Sequence, residues 1–109
     1  MADKYIPIFT KFAEEDLIEI LDYFADKNPE YIEKLAERID VRLAELKQFP
    51  QKGRIVPELE KKSISDYREI IEGHYRIIYH MIDKKVFILS IIDGRRNLEE
   101  IIVNKLMRI

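Results

Sequence analysis

Arg76 stands in the middle of an apolar stretch, Tyr75-Arg76-Ile77-Ile78-Tyr79-His80-Met81-Ile82. A guanidinium in such a setting must find hydrogen-bond partners, because desolvating it alone costs several kcal/mol. It calls for a carboxylate partner or an anionic ligand, and Asp93, Glu69 and Glu72 are acids placed to serve as the partner. Further cations gather around it: Arg95 and Arg96 follow the next apolar run, and Lys52, Arg54 and Arg68 precede it. Arg54, Arg68, Arg76, Arg95 and Arg96 together form a candidate anion-binding or target-binding set. His74 and His80 read first as surface or hairpin residues; His80, which shares the alternation of Arg76 and has an ordinary pKa near neutrality, is also a candidate general base. His74 and His80 are the only histidines. On one strand they stand roughly 20 Å apart at about 3.3 Å per residue, too far to hold one metal.

Other chemistries lack their residues. The chain has no Gly-rich phosphate loop, no Cys/His metal set and no Gly-x-Ser-x-Gly elbow. No cofactor and no metal is expected. Lys34, Arg38 and Arg42 fall on one i+4 ridge, but Glu30, Glu33 and Glu37 are interspersed with them, which reads as a solvated helix face. Tyr75 and Tyr79, spaced with Ile77 and Met81, read as core.

The elements that must position these groups follow from periodicity. Tyr5 to Thr10 is short and rich in β-formers, with Pro7 pointing to an edge strand or a bulge. Leu17, Ile20, Leu21 and Phe24 then repeat at helical spacing, with Glu14, Glu15, Asp16, Glu19 and Asp22 on other positions. Asn28-Pro29 is a cap followed by proline at the first helical position, so a second helix starts there. Its stripe is Ile32, Leu35, Ala36, Ile39, Leu43 and Leu46, and the short break predicts an antiparallel helical hairpin. Residues 48–66 lose periodicity and read as a long loop punctuated by Pro50, Gly53 and Pro57. Three strands joined by short turns follow, through Gly73 and Asp83-Lys84-Lys85, as an antiparallel meander. The run Val86 to Ile92 is apolar enough to be covered on both faces. Asn97 and Glu100 have the spacing of a capping box before a short terminal helix. The order β-α-α-β-β-β-α is an α+β domain with the helical hairpin on one face of the sheet.

Composition bounds the rest. A chain of 109 residues with 47% hydrophobic and 37% charged residues is one ordered domain, residues 1–109. Cysteine is absent, which excludes disulfides and thiolate chemistry. No apolar run approaches the ~20 residues that span a bilayer, and the amino terminus lacks a secretory layout, so a cytoplasmic location without membrane partners is expected. The net charge of −2 gives no overall field for nucleic acid. Its distribution is uneven: residues 14–47 carry five bases against eleven acids, and residues 52–96 ten bases against seven acids. The second half is the home of any anion site.

Five stretches carry a family resemblance. Ala13-x-x-Asp16-Leu17-x-Glu19-Ile20-x-x-Tyr23, Gly53-Arg54-x-Val56-Pro57-Glu58, Tyr67-Arg68-Glu69, Tyr75-Arg76-Ile77-Ile78-Tyr79 and Gly94-Arg95-Arg96 resemble the RelE/ParE superfamily of bacterial toxins, over about Tyr5 to Leu98. The helix and loop signatures are similar to the ParE, or plasmid-stabilisation, branch. The resemblance implies the β-α-α-β-β-β(-α) fold, an antiparallel sheet with a helical hairpin packed on one face. It implies the toxin of a type II toxin-antitoxin pair, hetero-oligomeric with a cognate antitoxin. ParE-like toxins poison DNA gyrase without being enzymes. RelE-like relatives are metal-independent endoribonucleases that cut mRNA on the ribosome; by position Arg76 and Arg96 match their two arginines and Arg68 a strand base, with His80 as a further catalytic candidate. Where the nuclease pattern has Tyr or His near the terminus, Ile102 stands nearby, and Asp93 replaces the histidine many relatives carry before Gly-x-Arg. Cleavage through the 2′-hydroxyl needs a proton acceptor, which a guanidinium cannot be. A ParE-like inhibitor is therefore the expectation, with a RelE-like nuclease or an inactive relative that acts only with its antitoxin as alternatives.

Overall fold

The computed structural model describes residues 4–95 and 98–107. Thr10 ends the first strand, β1 (Ile6–Phe9), and caps the first helix, α1 (Lys11–Ala25), by accepting the Ala13 N–H at 3.3 Å. Asn28 does the same for α2 (Pro29–Leu46) through the Tyr31 N–H, with Pro29 where a missing N–H costs nothing. The remaining elements are β2 (Arg54–Ile55), α3 (Pro57–Glu60), β3 (Arg68–Glu72), β4 (Tyr75–Ile82), β5 (Lys85–Asp93) and α4 (Leu98–Met107). None of the described helices is long and apolar enough to cross a membrane.

The strands lie in the order β1-β5-β4-β3-β2. The meander β3-β4-β5 is antiparallel, as its turns predict: Gly73, at φ +59°, supplies the left-handed residue of the first and Asp83, at φ 55°, that of the second. The sheet as a whole is mixed rather than antiparallel throughout, because β1 pairs in parallel with β5, Ile6 opposite Lys85 to Phe9 opposite Ile88. The crossover that a parallel pairing requires is the whole stretch from α1 to β4, which the helical hairpin begins. The stretch read as a long loop also contains structure. β2 extends the sheet edge, and Pro57 opens the single turn α3, which sinks Val56 and Leu59 into the core. The terminal helix is present as α4; Asn97 of the expected capping box lies outside the described residues.

Two cores sandwich the sheet. On one face Ala13, Leu35, Ile39 and Leu46 from the helical hairpin pack on Ile70, Tyr75, Ile77, Tyr79, Val86, Ile88 and Ile91. On the other, Val56 and Leu59 pack with Ile78, Ile92 and Ile102 of α4. A β-bulge makes both possible. Ile78 pairs with Ser90 and Tyr79 with Ile88, so Leu89 is an extra residue in β5 and the alternation shifts there. Val86, Ile88 and Ile91 consequently face the hairpin, while Ile92 faces α4.

Candidate functional site

Arg76 is 5% exposed on β4 and meets two carboxylates. Its Nη1 and Nη2 donate to Glu58 Oε2 and Oε1 at 2.8 and 2.7 Å, a two-pronged fork, and its Nε donates to Glu69 Oε1 at 2.6 Å. Arg54 Nε reaches the other oxygen of Glu69 at 2.6 Å. Two arginines and two glutamates therefore form a neutral knot. The hydrogen bonds from Arg76 hold the Glu58 carboxyl below the ordinary carboxylate value against the opposing effect of burial, and in return Glu58 raises the guanidinium pKa further. Of the partners expected for Arg76, Glu69 is correct. Glu72 belongs to the opposite face, where Arg42 Nε lies at 3.2 Å and Arg38 Nη1 at 3.8 Å, so two members of the α2 ridge read as solvated reach back to the sheet. Asp93 is taken by Arg95.

The loop that delivers Glu58 is locked by backbone contacts. Gly53 N–H donates to the Tyr79 hydroxyl at 3.0 Å, and that hydroxyl donates to the Pro50 carbonyl at 2.6 Å. A Cβ at Gly53 would collide with the Tyr79 hydroxyl and the Glu69 carbonyl, so only glycine fits. Arg68 adds a bond from Nη1 to the Gly53 carbonyl at 2.8 Å. Glu58 was the partner missed from sequence. Its signal is the spacing Gly53-Arg54-x-Val56-Pro57-Glu58, in which every named residue proves to have a packing or bonding role.

The other predicted residues are placed apart from this knot. Arg95, with its side chain 62% exposed, forks onto Asp93 through Nε at 3.0 Å and Nη2 at 2.8 Å, and these bonds pull the Asp93 carboxyl down to about 2. His80 stacks on Tyr67, ring centroids 5.6 Å apart, with Phe87 edge-on at 5.8 Å. Burial pushes its pKa below the ordinary value, with Asp66 opposing. Arg68 and His80 both line one open cavity of about 450 Å³, which Arg76 does not line. Arg96 lies outside the described residues. Tyr75 and Tyr79 are core, as expected, and burial raises the pKa of each.

One charged residue was assigned to the wrong side of its helix. Asp16, grouped by sequence with the solvent-facing acids of α1, is 3% exposed. It follows Ala13 by three and precedes Ile20 by four, which is the buried stripe. Where β1 stops, Asp16 Oδ2 accepts the Ile91 N–H at 3.1 Å and the Ser90 hydroxyl at 2.8 Å, and Lys105 of α4 closes on Oδ1 at 2.6 Å. A side chain thus satisfies the edge of β5 that no strand covers.

The family model described as the ParE toxin of type II toxin-antitoxin system, parDE, matches residues 8–98. The chain belongs to the ParE toxin family. That span runs from β1 to the start of α4 and contains the Arg76 knot, the Asp16 contact to β5 and the Arg95-Asp93 pair. A solved chain of the chromosomal ParDE toxin-antitoxin system from P. aeruginosa has the same fold, with a TM-score of 0.64 at 22% identity, covering 83% of this chain and 96% of that one. The search of curated protein sequences finds no match. In this ParE-family chain, the arginine that in sequence resembled a nuclease group is held by carboxylates of its own fold.

Proposed function

We propose that this ParE-family toxin acts without catalysis: it inhibits a protein target, DNA gyrase, in the cytoplasm and is neutralised by a cognate antitoxin. The observation that carries this reading is the double commitment of Arg76 to Glu58 and Glu69. A phosphate could take that guanidinium only by displacing the fully buried Glu69 and the partly buried Glu58, and Glu69 would then keep only the solvent-side Arg54 as a partner. Arg54 and Arg95 keep exposed side chains and are the described members of the arginine set that can meet a partner's surface. For the antitoxin, Ile18 and Tyr23 on α1 and Val41 on α2 stand about half exposed, apolar anchors of the kind a partner segment covers.

A second reading, ribosome-dependent cleavage of mRNA, is favoured by the shared cavity of Arg68 and His80, since a neutral imidazole beside a cation is a base next to a charge stabiliser. Two assays separate these readings. Purified toxin added to gyrase should abolish supercoiling, and mapping of mRNA ends in the ribosomal A site should show no new ends with wild type or with His80→Ala. Untouched supercoiling with A-site ends that vanish in His80→Ala and Arg68→Ala would establish the nuclease instead.

A further inference from the structure

β1 ends at Phe9, opposite Ile88, and β5 runs on to Asp93 with no strand on that edge, β4 holding the other. α1 occupies that flank, held off by the Asp16 contact, and between the helix and the strand lies a cavity of about 270 Å³. Tyr23, Phe24 and Tyr75 supply aromatic walls. Three carboxylates and two cations line it: Lys105 meets Asp16 and Arg95 meets Asp93, whereas Glu19 is paired with no cation among the described residues. Glu19 thus brings a carboxylate with no cation beside it, among the described residues, to the aromatic rings.

That combination selects its ligand. A cation gains from the ring faces and from Glu19 together, whereas an anion is repelled and a neutral apolar group would desolvate Glu19 without replacing its water. We propose that this cavity is a socket for one basic side chain of the antitoxin, arginine in preference to lysine. The planar guanidinium both stacks on a ring and forks onto a carboxylate, which an ammonium cannot do. Charge complementarity extends beyond the socket: Glu15, Asp22 and Asp26 are exposed along the same helix, and the exposed Tyr23 ring already holds one cation, Lys27 Nζ, 4.3 Å from its centroid. A basic segment laid along α1 would be drawn by this acidic face and anchored where β5 ends. This inference rests on the antitoxin-bound reading above and adds the chemistry of the contact.

The test titrates the isotope-labelled full chain with acetyl-Gly-Arg-Gly-amide, followed by amide chemical shifts, against the same peptide carrying citrulline. Saturable shifts confined to the surroundings of Glu19, Tyr23, Tyr75 and Asp93 are expected, with binding in about the millimolar range for a single side chain and about tenfold weaker for citrulline. Glu19→Gln and Tyr23→Ala, both at exposed positions, should each weaken arginine binding by about tenfold while the rest of the spectrum superimposes on wild type. Equal binding of the two peptides, or shifts elsewhere, overturns the socket. Repeating the titration on the complex with the cognate antitoxin identifies the occupant: the peptide must be excluded, and undiminished binding would overturn the assignment to the antitoxin. The supercoiling assay reads the toxin's action independently, so a failed socket with intact inhibition leaves the proposed function standing.

Discussion

Arg76 shows how a single residue type constrains what surrounds it. Withdrawing two ions from water costs several kcal/mol each, and the fork onto Glu58 with the third bond to Glu69 is what offsets that cost. Glu69, whose side chain is 0% exposed, depends on it, because its other partner, Arg54, approaches from solvent with a side chain 58% exposed. Arg76→Ala should therefore lower stability by about 3–5 kcal/mol in urea unfolding, the range for breaking a buried pair and stranding one charge. A loss under about 1 kcal/mol, the value of an exposed pair, would contradict this account of the knot. Arg95→Ala, at an exposed pair, should leave the unfolding midpoint near wild type. The need for a partner at Arg76 was legible in the sequence because mid-strand burial alone dictates it. The identity of Glu58 was not, because it arrives on a loop whose path depends on Gly53 and Tyr79.

Among the elements, β5 carries the most unusual demand. It must feed both cores, and strict alternation would place Val86, Ile88, Ser90 and Ile92 on one face and expel Ile91 from the hairpin side. Leu89 resolves this by adding one residue. Its deletion should put one half of β5 out of phase with its core, giving a protein that retains helical circular dichroism but binds hydrophobic dye and unfolds without a cooperative transition. A sharp, near-wild-type transition would show that the bulge is dispensable. The sequence gives no local sign of this bulge, because Phe87 to Leu89 is uniformly apolar and any of its residues could be the extra one. Asp16 was misread for a related reason: composition assigns an acid to solvent, and only the early end of β1 creates the bare strand edge that an acid on the buried stripe can satisfy.

At the level of the whole molecule, acid should act in two stages. Burial holds His80 below its ordinary pKa of 6.5, so the unfolded chain binds that proton more readily and stability declines as pH falls below about 6.5. Glu45, Glu58 and Asp93 are lowered by their Lys52, Arg76 and Arg95 partners, so their contribution is full above the ordinary values of 4.5 and 3.8 and is lost as pH falls through the lowered pKa of each, about 2 for Asp93. Thermal melts across this range should show a shallow first limb and a steep second one. In His80→Gln the first limb should flatten while the second persists; an unchanged first limb would assign it to another group. The same accounting bears on action: with the arginines of the knot neutralised by its glutamates, a protein of net charge −2 is suited to a protein surface better than to a polyphosphate.

Local and periodic information lay in the chain itself. The two amphipathic helices with the Asn28-Pro29 start between them, the meander with its Gly73 and Asp83 turns, and the five stretches resembling the toxin family all depend on residues close in sequence. Three long-range features required the folded chain: the parallel docking of β1, the delivery of Glu58 to Arg76, and the burial of Asp16 against β5. Each joins residues far apart in sequence, 74 positions between Asp16 and Ser90 and 18 between Glu58 and Arg76. Whether such groups meet is decided by the packing of whole elements, which no short stretch of sequence encodes.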